Sequence, residues 1–293
     1  FLDYDEILRS QKHEVLNIVH TKAKIIEKLR FTEAYFCGLF NLSKYDFFAD
    51  KRFAKIIADF QPDIIILHGN RATTICKRTL KRNNIKIPAV GVCHNKRIKG
   101  LIGLDALFII LESLRKVTLE LGQKPRTNYY MPNVIKSDLN QKFESYKYNK
   151  PPMIGFMGRL SAEKGVDCLL KALNILKRKK IEFNAIIAGD GPCRKKLVTE
   201  AKLLNLTNDV KFIGWIDNKD QFFTNIDIFT LPSTIEHFSI VMLEAMKAGK
   251  AIISSNTDGP KEVLQDYYEA LIFKKNNHQQ LAQHLEKIIS ANE

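Results

Sequence analysis

Three groups of residues in this chain have types and spacings suited to chemistry. In GFMGRLSAEKGVDCLLKAL, residues 155–173, a β-rich run ends at Met157, a short loop carries Arg159 and Lys164, and a helix-period segment begins after Gly165. A guanidinium that binds two oxygens at once, an ammonium point charge and the unpaired N–H groups of a helix start together suit a phosphate. The plainer reading is a solvated basic loop in which Gly165 serves only a turn. In LPSTIEHFSIVMLEAMKAGK, residues 231–250, Glu236 and Glu244 flank an apolar segment. Ser239 suits an N-cap and Gly249 the position past a helix end, which predicts a helix over 240–248 with Glu236 before it and Glu244 inside it. That helix is apolar nearly all round and so is expected to be buried, and a buried carboxylate needs a partner, either a hydroxylated ligand or a nearby Lys or Arg. For Glu236 the alternative is exposure on the loop. Finally, DIIILHGN (63–70) and VGVCHN (90–95) each reach a His and then an Asn at a strand end. Histidines at neighbouring strand ends face one space, which makes His94 a candidate against the commoner structural role.

Positioning such residues takes parallel strands. β-rich runs at Val15–Val19, Asp63–Leu67, Ala89–Val92, Leu107–Leu111, Met153–Met157, Ala185–Ala188, Val210–Ile213, Ile228–Leu231 and Ala251–Ser254 alternate with helix-period segments such as Val166–Lys177, Cys193–Leu204 and Ser239–Ala248. That alternation predicts an α/β protein built of βαβ units. IIAGDGPCRKKL, residues 186–197, repeats the strand, glycine turn and helix order, with Gly189 and Gly191 in the turn and Pro192 suited to the first helical position. The polar stretch from Ser137 to the double proline at Pro151–Pro152 breaks the rhythm. It predicts two domains, 1–145 and 146–293, with the functional residues at the cleft between them.

Composition narrows the class. With 293 residues and 45% hydrophobic content the chain can bury a large core. No apolar run approaches the ~18 residues of a membrane span and no signal peptide pattern opens it, so a cytosolic protein is expected. Its five cysteines, scattered and without C-x-x-C spacing, are expected to be reduced thiols. The D-x-D at Asp3–Asp5 stands at a polar start and not after a strand, so no metal is expected there. Residues 1–150 hold 27 Lys and Arg against 15 Asp and Glu, and the rest 19 against 17. The first half thus suits an anionic surface such as the inner face of a membrane, the alternative being a solvated lysine-rich exterior. Nucleic acid is not expected as a partner, because the charge is not interleaved with aromatics in any recognisable module.

Taken together and in order, GRLSAEKG, AGDGP, FIGW, LPS and E-x7-E resemble the retaining glycosyltransferases of family 4, over roughly Pro62 to Leu264. The resemblance implies the GT-B fold, two Rossmann-like doubly wound parallel-sheet domains facing across a cleft. It implies that Arg159 and Lys164 hold the diphosphate of a nucleotide-sugar donor, that Glu244 binds the ribose and Glu236 the sugar hydroxyls, and that His94 lies near the transferred sugar. It puts His237, Phe238 and Ser239 in the loop that meets sugar and phosphate, and Gly189 and Ile216 on the base side. The expected reaction moves a hexose or N-acetylhexosamine to a lipopolysaccharide or other envelope glycan, with retention, without metal or cofactor, at the cytoplasmic face of the membrane. The sequence departs from the family pattern at His237 and Ser239, where glycines are usual. It also begins near QKHEVLNIV (11–19), so the family's first strand and glycine-rich loop are expected to be missing. An inactive nucleotide-sugar-binding fragment, or a GT-B epimerase or phosphorylase, is the alternative.

Overall fold

A parallel strand covered on both faces reads as an unbroken apolar run, and AVGVC, residues 89–93, is buried at every position. The computed structural model describes residues 2–23, 25–31, 35–41, 43, 46–135, 148–268 and 271–291. It divides into two units, Phe1–Pro132 and Asn133–Glu293. The boundary expected after residue 145 lies within 136–147, outside the described residues.

The first unit runs α1 (Leu2–Ser10), β1 (Asn17–Val19), α2 (Ile25–Phe31), β2 (Phe36–Gly38), α3 (Phe47–Phe60), β3 (Ile65–His68), α4 (Asn70–Arg82), β4 (Ala89–Cys93), β5 (Ala106–Ile109), α5 (Ser113–Glu120) and β6 (Asn128–Tyr130). Strands β3, β4, β5 and β6 pair in that order, all parallel, while β1 and β2 form their own parallel pair. A buried carboxylate ties α3 to α4. Asp50 receives Arg78 Nε at 2.5 Å and Arg82 Nη1 at 2.9 Å, so its charge is matched where water cannot reach it.

The second unit runs β7 (Met153–Met157), α6 (Val166–Arg178), β8 (Asn184–Ala188), α7 (Arg194–Leu203), β9 (Val210–Gly214), α8 (Lys219–Thr224), β10 (Ile228–Leu231), α9 (Ile240–Lys247), β11 (Ala251–Ser255), α10 (Asp258–Tyr268), β12 (Ile272–Phe273) and α11 (His278–Ser290). Its sheet is parallel throughout, in the order β12-β11-β10-β7-β8-β9. Strand order therefore reverses between β7 and β10. Alternation along β7 sends Ile154 and Phe156 into a core with α6, α7 and α11, and Met157 into a core with Phe222, Met242 and Leu264 of α8, α9 and α10. Asp227, buried just before β10, accepts from Asn149 N at 3.1 Å, Asn149 Nδ2 at 3.0 Å and Met153 N at 2.5 Å. It locks the entry of the unit to the strand that β7 pairs with.

Some expectations need correcting. Strands β2, β6 and β12 are two or three residues long, too short for a period to be read. Helix α7 starts at Arg194, and Pro192 lies in a turn closed by Arg194 N on Gly191 O at 3.1 Å, so it does not take the first helical position. Helix α9 is not buried all round. Met242 and Ala245 pack on the sheet but Ile240 is 42% exposed, because the sheet covers one helix face only. All five cysteines are free, and burial pushes the Cys76 and Cys93 thiols up to about 12, which makes them inert at neutral pH. Among the described residues no helix is long and apolar enough to cross a membrane.

Replacing Asp227 by Ala strands two backbone amides and the Asn149 side chain. Urea unfolding should show a loss of roughly 3 kcal/mol, with Asp227→Asn recovering part of it; a change below about 0.5 kcal/mol would be that of an ordinary surface site.

Candidate functional site

At the reversal between β7 and β10 the following helices, α6 and α9, pack on opposite faces of the sheet, the position at which α/β folds take ligands beyond the strand C-termini. The loop after β7 supplies Arg159 and Lys164, and the loop after β10 supplies Glu236. Lys164 Nζ stands 2.7 Å from Glu236 Oε2, the side chains 25% and 10% exposed. Glu236 is thus paired, not exposed on its loop. Ser233 Oγ donates to the same oxygen at 3.4 Å, and Thr234 N donates to Glu163 O at 2.8 Å, which stitches the two loops together. Gly165 makes this approach possible. Its φ of 64° is left-handed, and a Cβ there would stand 2.0 Å from Pro232 O. Arg159 is exposed and forms no ion pair among the described residues.

Helix α9 begins where the motif requires. Ser239 caps it, accepting from Met242 N at 3.3 Å, and Gly249 follows the helix with φ 65°. Glu244 Oε1 takes Lys219 Nζ at 2.6 Å, while Oε2 is buried and has no hydrogen-bond partner among the described residues. The neighbouring lysine therefore satisfies one oxygen and leaves the other an acceptor in want of a donor. The loop of His237, Phe238 and Ser239 is seated on the start of α10. Gly259 N donates to Glu236 O at 3.4 Å, and a Cβ at Gly259 would stand 2.0 Å from His237 O. At the ends of β8 and β9, Gly189 N donates to Gly214 O at 2.6 Å, Ile216 packs on the core beneath α8 and α9, and Trp215 is 73% exposed.

In the first unit, β3 and β4 are paired neighbours, so the histidines at their C-terminal ends meet. His68 Nδ1 lies 2.9 Å from His94 Nε2, the rings are near parallel with centroids 5.2 Å apart, and Tyr4 of α1 sets its edge on His68 at 5.4 Å. Burial, then the charge of His94, pulls the His68 pKa down to about 3, and burial also lowers that of His94, so both rings are neutral near pH 7. Helix α4 fixes the loop beyond His94: Asn70 Nδ2 donates to Arg97 O at 2.8 Å, and Lys77 Nζ to Ile102 O at 2.5 Å. Asp5 of the D-x-D is structural, taking Arg9 Nε at 2.8 Å and Asn17 Nδ2 at 2.6 Å. Among the described residues no group of three His, Cys, Asp or Glu could hold a metal ion.

Sequence reasoning singled out His94 but left out His68, although both strand ends carried the same signal. Lys219 and Gly259 had no signal in spacing, since topology alone brings them to Glu244 and to the loop before α9.

The family model described as "Glycosyl transferases group 1" matches residues 137–293, just over half of the chain. An uncharacterized glycosyltransferase of Methanocaldococcus jannaschii is 30% identical over 141 residues, 47% of this chain and 36% of that protein. A lipopolysaccharide core biosynthesis glycosyltransferase of Rhizobium meliloti is 26% identical over 230 residues, 75% of this chain and 63% of that protein. The aligned segments thus span less than two thirds of these relatives. The crystal structure of Anabaena HepE in complex with UDP and glucose matches with a TM-score of 0.82 at 17% identity, covering 99% of this chain and 86% of that one. At that identity the likeness is one of fold: α/β with parallel sheets, of the GT-B class.

Two outcomes follow. Gly165→Ala forces Cβ into Pro232 O, so it should cost roughly 2–4 kcal/mol in thermal or urea unfolding. The His68 pKa is lowered in the fold, so the unfolded chain takes up its proton first and stability is lost as pH falls from 6.5 toward about 3. Unfolding free energy should therefore fall less steeply over that range in His68→Asn than in the unaltered chain.

Proposed function

The chain belongs to the group 1 glycosyl transferases, and from that membership we propose that it moves a hexose or N-acetylhexosamine from a nucleotide-diphosphate sugar to a lipopolysaccharide or other envelope glycan. The observation that carries this reading is the meeting of Lys164 and Glu236, 2.7 Å apart, at the reversal of strand order. A cation from one loop and a carboxylate from the other stand where a charged, hydroxylated ligand would bridge them. The HepE complex with UDP and glucose and the lipopolysaccharide role named for the Rhizobium relative support the donor and acceptor classes.

In this reading Lys164 turns from Glu236 to the donor diphosphate, joined by Arg159, and Glu236 is released to accept from sugar hydroxyls. Breaking the bond from sugar carbon to phosphate oxygen leaves the electron pair on the diphosphate. Cations whose attraction grows with that charge lower the barrier. Glu244 Oε2 accepts from a ribose hydroxyl while Lys219 holds Oε1 and so orients the carboxylate. The loop of His237, Phe238 and Ser239, at the positive end of α9, meets the sugar and phosphate, and Gly189 and Ile216 line the base side. His94 takes the role that the family resemblance gives it, that of the histidine acting on the transferred sugar. No cofactor is needed beyond the donor, and the acceptor hydroxyl attacks the face from which the diphosphate leaves, passing its proton to the departing phosphate oxygen.

Docking of the first unit on an anionic cytoplasmic membrane face is part of the same proposal. Phe47 and Phe48, 49% and 69% exposed at the start of α3, stand beside Lys51 and Arg52, a mix of apolar and basic side chains that suits a charged interface.

Calorimetric titration with a panel of UDP-, GDP- and ADP-sugars identifies the donor. Against it, Lys164→Met and Glu244→Gln should each weaken binding about 10- to 100-fold; unchanged affinity would remove these residues from the site. Sedimentation with phosphatidylglycerol vesicles should capture the chain, and Phe47→Ser with Phe48→Ser should release it. Equal capture by uncharged vesicles would defeat the docking proposal.

A further inference from the structure

A neutral imidazole has one N–H and one lone pair. The 2.9 Å contact between His68 Nδ1 and His94 Nε2 therefore holds a single proton between the two nitrogens. Whichever ring owns that proton, the remaining nitrogen of each ring is fixed: His94 Nδ1 is an acceptor if Nε2 donates, and a donor if Nε2 accepts. An isolated histidine exchanges between these forms and turns about its side-chain bonds. Here the rings lie near parallel, 21° apart, and Tyr4 meets His68 edge-on at 77°, which restricts both rings. Desolvation disfavours a proton on either ring, so near pH 7 both are neutral. His94 remains partly exposed, and Nδ1 is the ring nitrogen left for a ligand.

We infer that His68 is a positioning residue for the transfer reaction: it holds His94 in one orientation and ties its tautomer to that of His68, so that Nδ1 meets a ligand hydroxyl in a set geometry. The role rests on the reading of His94 given above. His68 itself touches no substrate. Its effect reaches the reaction through the proton it shares, because a hydroxyl that must donate to Nδ1, or accept from it, meets a ring already set for that bond. Fixing the geometry beforehand acts on the rate of the bound complex more than on donor affinity.

Side-chain nitrogen NMR of the full chain, with His94 assigned by the signals lost in His94→Gln, should show the Nε2 signal of His94 shifted by its hydrogen bond to Nδ1 of His68. In His68→Leu that shift should be lost. In His68→Asn, whose amide occupies the place of Nδ1, it should return. With the donor that supports turnover, His68→Leu should lower kcat about 10- to 100-fold with KM within about twofold, and His68→Asn should recover most of the loss. An unshifted His94 Nε2 in the unaltered chain, an unchanged His94 signal in His68→Leu, or a kcat unaffected by that change would overturn the role of His68. Full activity of His94→Gln would instead remove His94 from the reaction, a separate failure that needs no His68 variant.

Discussion

Everything in the second unit's site depends on how closely two loops can approach at the point where strand order reverses. A side chain at residue 165 would strike Pro232 O at 2.0 Å. Its absence lets the loop after β7 and the loop after β10 touch, and only then can Lys164 and Glu236 pair at 2.7 Å. A half-buried ion pair of this kind is poor as a stabilising device, since desolvation consumes much of the Coulomb attraction. As a pre-set pair of opposite charges that a ligand can exchange into, it has a use. Glu244 follows the same logic by other means: Lys219 satisfies one oxygen, and the buried second oxygen remains an unmet acceptor.

The first unit solves a similar problem without charge. Parallel pairing of β3 with β4 brings two strand ends together, and the histidines there bind each other through a shared proton. Burial makes protonation costly, so the pair stays neutral and directional. Around it, α4 fixes the following loop through Asn70 and Lys77. In both units the chemistry-bearing groups lie just beyond strand C-termini, while the strands beneath them are packed too tightly to move with a ligand.

Much of this was legible in advance. Unbroken apolar runs such as Ala89–Cys93 and Met153–Met157 announced buried parallel strands, and Ser239 and Gly249 bracketed α9 to within a residue. Strands β2, β6 and β12 escaped because two or three residues carry no period, whereas β1, equally short, lies in the longer run Val15–Val19. The apolar helix α9 misled in the opposite direction: hydrophobicity around the helix did not mean burial around it, because the sheet covers one face and leaves Ile240 open. Lys219 and Gly259 were invisible because their importance comes from residues distant in the chain, Glu244 and His237.

The sequence by itself determined the alternation of strands and helices and the residue types at their junctions: two cations after β7, two carboxylates around α9, a histidine at the C-terminal end of each of β3 and β4. Those follow from local rules of period, capping and turn chemistry, which act over a few residues. Tertiary structure decided who meets whom. Lys164 faces Glu236 and not solvent, Glu244 keeps one oxygen unsatisfied, and His68 shares a proton with His94. Such pairings hang on strand order and on the absence of a Cβ at Gly165 and Gly259, and strand order is a property of the folded sheet that no window of sequence contains.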